Sequence, residues 1–339
     1  MPKPSLRFSL EGRITILQLG VTQRKVVDSA FRPALELSPV CRSVGWSQWL
    51  KRAAPAGFRA KVAAASDREI VMALVRNVFL FVVLTLLTQI GGIVFLVSIA
   101  VSRLLQISRR LLKAVVFLSL YVLATIAAHA VAPSFGRVPL PCFSAAAALQ
   151  LQSPLYCVLN RNYVSVGMRQ AAEDLARHMA TQFPGTVTLA LDANFPFIDG
   201  FPLLPHLSHS DGRKMDIAFY YRGKTGEALS GQTRSPIGYF AFEQPDAGSP
   251  LPCAGRDDLL TFRWDLKLLQ PLFADWSLDE ARTRAAVQWL SSEGRAAGVE
   301  KIFIEPHLVK TLAVENDTVR FQGCRAARHD DHIHFQVAK

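Results

Sequence analysis

Five of the chain's eight histidines fall in two short segments. One reads HLSHSDGRKMDIAF, residues 206–219, and carries His206, His209 and Asp216. The other reads RHDDHIHFQV, residues 328–337, and carries His329, Asp331, His332 and His334. Neutral imidazole and carboxylate are good zinc ligands, and both serve as general bases. In the second segment the alternation predicts a strand over 331–337. Side chains two apart on a strand share a face. His332 and His334 therefore point together, while Ile333, Phe335 and Val337 point into a core. In the first segment Gly212 lies between His209 and Asp216 and lets the chain turn sharply, so that both side chains converge. His209, Asp216 and His334 make three N/O ligands and leave one tetrahedral position for water, the arrangement of a catalytic zinc. Two histidine clusters, each at the start of a strand, are more economically one site than two accidents.

These residues need a scaffold. An amphipathic helix is predicted over 168–183 from Ala171, Ala172, Leu175, Met179 and Phe183, and Pro184-Gly185 ends it. Strands are predicted over 186–191, 215–221 and 301–305. A helix over 277–294 opens on a Ser277/Glu280 capping-box pattern and closes at Gly294. Residues 223–260, rich in Gly, Pro and Ser, read as a long surface insertion. The sum is an α+β domain over 155–339, with a small, mostly antiparallel sheet and flanking helices. Residues 133–154 read as a linker.

Two apolar stretches precede it. Residues 78–102 are uncharged over 25 positions and residues 114–132 over 19. The first is long enough to cross a ~30 Å hydrocarbon core. One or two transmembrane helices, forming a hairpin or a signal-anchor region over 78–132, are expected. The net charge of +11 is unevenly spread. Residues 1–77 carry 13 basic and 5 acidic side chains, whereas 133–339 carry 21 and 22. A near-neutral C-terminal domain excludes a nucleic-acid footprint. The basic loop with Arg103, Arg109, Arg110 and Lys113 belongs on the cytoplasmic side. A hairpin with that loop inside would leave the basic 1–77 stretch outside, against the same rule. Either residues 1–71 are absent from the mature protein, with Met72 as the start, or only the second segment crosses, as an anchor or a cleaved signal ending in small residues. Both readings export 133–339. Cys142, Cys157, Cys253 and Cys324 in that part suggest two disulfides, with three possible connectivities. A zinc site built from them is disfavoured by the lack of a CxxC pair.

The HxSHxxGxxxDI pattern (His206, Ser208, His209, Gly212, Asp216, Ile217) and the terminal HDDHIH (329–334) resemble the penicillin-insensitive murein endopeptidases, zinc peptidases of the hedgehog/D-Ala-D-Ala-peptidase fold. GVEKIFIEPHLVKTL (298–312) also resembles that family's strand before the second motif. The resemblance covers roughly 155–339. It implies Zn2+ on His209, Asp216 and His334, His332 beside the water, and His206 and His329 lining the cleft. It leaves the base open between His332 and Asp331. His332 is preferred, because it shares the face of His334 while Asp331 alternates away. The implied activity is hydrolysis of D-amino-acid amide bonds in peptidoglycan crosslinks. The implied setting is the periplasm, with an inner-membrane anchor. A carboxypeptidase of the same fold and an inactive zinc-binding module are the alternatives. A carboxypeptidase needs a cation for the substrate carboxylate, and Arg169 in SVGMR is a loose match. Three histidines are expected outside the site: His307 in a loop, His178 on a helix surface, and His129 at a membrane interface.

Overall fold

The computed structural model describes residues 67–143, 146–246, 252, 253, 255 and 263–339. Most of the basic 1–77 stretch and part of the 223–260 insertion lie outside the described residues.

Three apolar helices come first: α1 (Asp67–Thr88), α2 (Gly91–Leu104) and α3 (Arg110–Val131). Two helices, α1 and α3 with its following turn, are long and apolar enough to cross a membrane. The single span expected over 78–102 is broken at Gln89–Ile90. Gln89 takes a left-handed φ of 64°, which ends α1, and the Gly91 N–H donates to the Thr88 hydroxyl at 2.8 Å. A Cβ on Gly92 would stand 1.9 Å from Thr85 Oγ1 and 2.7 Å from the Phe81 carbonyl. The chain thus doubles back onto the end of α1, and only glycine permits that approach. Helix α2 then packs on α3, with Phe95 edge-on to Phe117 at 6.4 Å.

The remaining elements are β1 (Val138–Pro139), β2 (Leu149–Leu151), α4 (Pro154–Val158), β3 (Tyr163–Val164), α5 (Val166–Gln182), β4 (Thr188–Ala190), β5 (Lys214–Ala218), β6 (Tyr221–Arg222) and β7 (Ala228–Leu229). They continue with β8 (Ser277–Leu278), α6 (Glu280–Ser291), α7 (Glu293–Ala296), β9 (Val299–Phe303), α8 (Pro306–Thr311), β10 (Val319–Arg320) and β11 (His332–Val337). The central sheet runs β10-β9-β11-β5-β4-β2. Its inner pairings are antiparallel, but β9/β10 and β2/β4 are parallel. The sheet is therefore mixed, with three of its five pairings antiparallel, as the expectation of a mostly antiparallel sheet had it. The stretch expected as a linker supplies the edge strand β2 and the pairing of β1 with β3.

One face of the sheet makes the main core. Met215, Ile217, Ile333, Phe335 and Val337 meet Met168, Ala171, Leu175 and Met179 of α5 and Ala286, Val287 and Leu290 of α6. The α5 residues follow the i, i+3, i+4, i+7 stripe of a helix packed on one side. Ser165 caps α5 by accepting from the Met168 N–H at 3.2 Å. The cap of α6 is Asp279, accepting from Arg282 N–H at 3.2 Å, two residues beyond the expected Ser277. Ser277 and Leu278 instead pair with β6. Disulfides join Cys142 to Cys157 and Cys253 to Cys324, which resolves the open connectivity.

Phe335 lies wholly inside this core. Phe335→Ala is expected to destabilise the protein by about 3–5 kcal/mol. Gln336→Ala, on the opposite face, should change it by under about 0.5 kcal/mol. Thermal melting of the detergent-purified chain checks both.

Candidate metal centre

The site is built by register. Strand β11 pairs with β5 so that His334 stands opposite Asp216 and His332 opposite Ala218. Directly opposed residues share a sheet face, so both histidines and the carboxylate project away from the main core. His209 reaches this face from the loop before β5. Its Nδ1 lies 2.8 Å from the Ala193 carbonyl. A carbonyl only accepts, so Nδ1 carries the proton and the Nε2 lone pair faces inward.

That lone pair lies 2.9 Å from His334 Nδ1 and 3.3 Å from Asp216 Oδ1. His334 Nδ1 is 2.9 Å from the same carboxylate oxygen. Three acceptor-type atoms around one point require a positive centre between them, either a proton on His334 or a metal cation. Ligand atoms of a tetrahedral site with ~2.0–2.1 Å bonds stand ~3.3 Å apart, so the cluster is a few tenths of an ångström from a binding geometry. His206 joins it, with Nδ1 3.0 Å from Asp216 Oδ2. His206, His209 and Asp216 offer ligand atoms within 4.8 Å of one another and could hold a metal ion. His206, expected as a cleft residue, therefore stands among the candidate ligands. Two buried imidazole nitrogens in the cluster, His332 Nε2 and His334 Nε2, have no hydrogen-bond partner. Orphaned buried nitrogens are costly and fit a site shaped for a ligand.

Asp331 does not alternate away. It precedes the first residue of β11, where strand alternation has no hold, and its Oδ1 lies 2.5 Å from His332 Nδ1. Its other oxygen accepts from the Phe240 backbone N–H. The His332 Nδ1–H donates to Asp331, and His332 Nε2 lies 3.6 Å from Asp216 Oδ2. His329 packs its ring 5.0 Å from His332 and 5.3 Å from His334. All seven expected site residues converge, and all are buried. Arg169 does not join them. It is half-exposed on α5 and paired with Glu173. His307 sits on α8 rather than in a loop and donates to the Glu243 carbonyl at 2.9 Å. His178 is on the surface of α5, bonded to Gln182. His129, in the last turn of α3, bonds to the Thr125 carbonyl and lies 3.1 Å from Tyr163 Oη.

Three further residues complete the site. Tyr239 donates its hydroxyl proton to Asp216 Oδ2 at 2.7 Å and accepts from the Asp192 N–H at 3.0 Å. It comes from the insertion expected on the surface. Gly238 takes a φ of 80°, and a Cβ there would stand 2.3 Å from Leu191, so this turn enters the sheet face. Asp192 lies 3.6 Å from His206 and is clamped by Arg161, Nε to Oδ1 at 2.6 Å. Only Gly238 in GYF hinted at this, as a position suited to a tight turn.

Burial disfavours charge on His206, but Asp216 and Asp192 outweigh it and push its pKa up to about 10. Burial dominates at His334 and brings it down to about 4 despite Asp216. Burial also holds His329 well below the ordinary value, helped by His332 and His334. Asp216, though buried, is held well below the carboxylate range by His209, His332 and His206. For the metal-free protein the signs oppose one another. The stabilisation from His206 is complete below its unfolded value of 6.5 and is lost as pH rises toward about 10. Below 6.5 the unfolded chain takes a proton that His334 refuses until about 4, so stability drains there as well. Thermal midpoints in chelator should peak near pH ~6.5 and fall on both sides. His206→Asn should flatten the alkaline limb.

Comparison with models of known protein families, and with curated proteins, gives no match for this chain.

Proposed function

We propose that residues 155–339 form an exported zinc-dependent hydrolase that cuts D-amino-acid amide bonds in peptidoglycan crosslinks. The observation that carries this reading is the convergence of His209 Nε2, Asp216 Oδ1 and His334 Nδ1 within 2.9–3.3 Å of one another. The donor set is that of zinc, and its HxSHxxGxxxDI and HDDHIH context supports the substrate class through the resemblance to murein endopeptidases. The two disulfides and the apolar helices agree with an envelope setting.

His209, Asp216 and His334 would hold the metal, with His206 beside Asp216. Zinc in such a place lowers the pKa of water toward ~7 and polarises a carbonyl. The protein supplies the rest. The Ala193 carbonyl and the Tyr239 hydroxyl fix the orientation of His209 and Asp216. His332 Nε2 takes a proton from the attacking water and returns it to the leaving amine, a role worth ~10²–10⁴-fold in rate. Asp331 keeps the His332 ring in the tautomer that leaves Nε2 free. The carboxypeptidase alternative loses its expected anchor, because Arg169 is paired with Glu173 on the helix surface.

The test is incubation of the detergent-solubilised chain with crosslinked muropeptides, read by mass spectrometry. Crosslink cleavage should disappear with a chelator and in His334→Ala. His332→Ala should lower kcat by ~10²–10⁴-fold while zinc stays bound. Release of terminal alanine alone would make the protein a carboxypeptidase. One equivalent of zinc with no product from any muropeptide would reject the hydrolase. Separately, Tyr239→Phe should weaken zinc binding roughly 10–100-fold in a competition titration.

A further inference from the structure

The contacts between the apolar helices and the exported domain fix how deep that domain sits. Tyr121, midway along α3, donates to the Val158 carbonyl at 2.6 Å and accepts from Asn160 Nδ2 at 2.9 Å. Gln89, in the turn between α1 and α2, accepts from the Phe197 N–H at 2.9 Å. Thr88, beside that turn, reaches Tyr121. The α1–α2 turn, Tyr121 and α4 therefore lie at one level, with Phe197 just above it.

Charges mark the other side of the helices. Arg76 precedes Thr88 by twelve residues, Arg103 follows Gly91 by twelve, and Arg110 precedes Tyr121 by eleven. At 1.5 Å per residue each lies ~16–18 Å below the level of the turn. A hydrocarbon core is ~30 Å thick. With those arginines at its inner edge, the core extends ~12 Å above the turn. The upper part of α3 is built for that stretch, because no Asp, Glu, Lys or Arg occurs from Ala114 to Gly136. Arg76 and the 103–113 loop share one side, the side that positive loops prefer.

We infer that the exported domain is sunk into the outer leaflet, with α4 and its neighbours packed against lipid acyl chains. The surface at that level is apolar. Leu155 and Val158 are exposed one turn apart on α4, at 46% and 56%. Phe143 is 86% exposed beside Cys142, whose disulfide to Cys157 ties it to the same helix. Higher up, toward the headgroups, Phe135 and Ile198 are exposed, and the Phe135 ring packs on Phe197 at 5.1 Å. The charged pair Arg137–Asp199 follows the end of α3, at headgroup height. The seat is continuous with the site, because Asn160 precedes Arg161, and Arg161 clamps the Asp192 beside His206.

The test uses the full chain in vesicles of phosphatidylethanolamine and phosphatidylglycerol. Spin labels are placed by Leu155→Cys, Val158→Cys, Ile198→Cys and, as an exposed reference, Glu315→Cys, each with Cys41→Ser. Labels at 155 and 158 should collide with oxygen and be shielded several-fold from an aqueous nickel chelate relative to 315. The label at 198 should fall between. Nickel contact at 155 and 158 equal to that at 315 overturns the proposal. The unlabelled wild-type chain gives an independent reading with a lipid carrying a photoreactive group on its acyl chain. Adducts on residues 154–160 support the seat, and adducts confined to α1, α2 and α3 reject it. Neither measurement depends on activity, so failure of the hydrolase reading leaves both intact.

Discussion

The pairing of β11 with β5 is the constraint on which the rest depends. It sets the core and the candidate chemistry in one act. With His334 opposite Asp216, Ile333, Phe335, Met215 and Ile217 face α5 and α6, while the imidazoles and the carboxylate face the other way. A slip of one residue would exchange the two sets and bury charge among aliphatics. The hydrophobic face therefore acts as the register lock for the polar one. The polar face is expensive in itself. Buried ionisable groups stabilise a fold weakly unless each finds a partner, and here Arg161, Tyr239 and the Ala193 carbonyl provide partners around the cluster.

What was legible in the sequence was what short-range periodicity carries. The two-residue alternation of HIHFQV gave the strand and its two faces, and the stripe of α5 gave the helix that covers one of them. The seven site residues were readable because their side chains are chemically specific and packed into two segments. The failures have a common physical origin. Asp331 was placed by extending alternation past the point where the strand begins. Tyr239 was missed because a Gly- and Pro-rich segment looks like solvent-exposed chain until its tertiary contacts are known. The break at Gln89 is not legible because hydropathy averaged over a long window does not register backbone handedness, and Gln-Ile-Gly-Gly carries no charge to interrupt the uncharged run. The linker expectation over 133–154 failed for a similar reason. A three-residue edge strand such as β2 has too little pattern to show above a Pro- and Ala-rich background.

The two halves of the described chain meet through few but specific contacts. Tyr121 with Val158 and Asn160, Gln89 with Phe197, and His129 beside Tyr163 are polar side chains on otherwise apolar helices. Such groups are costly in hydrocarbon and are tolerated where protein satisfies them. Their partners are two backbone groups, the Val158 carbonyl and the Phe197 N–H, and two side chains, Asn160 and Tyr163, which makes the attachment directional. The helices are thereby a mount with a defined orientation rather than a flexible tether.

The position of β11 in the sheet has a consequence for the order of assembly. It is the last of the described strands in chain order, yet it lies between β5 and β9. Until it enters, β5 and β9 each present an open edge, and the core is divided into two parts with no strand joining them. Long-range pairing of this kind is slow, because the loop must close before any contact rewards it. For a chain that folds as it is made, His332 and His334 arrive only after β5, β9 and the loop that carries His206 and His209. The histidine–aspartate cluster can thus close only once the two halves of the sheet have been joined.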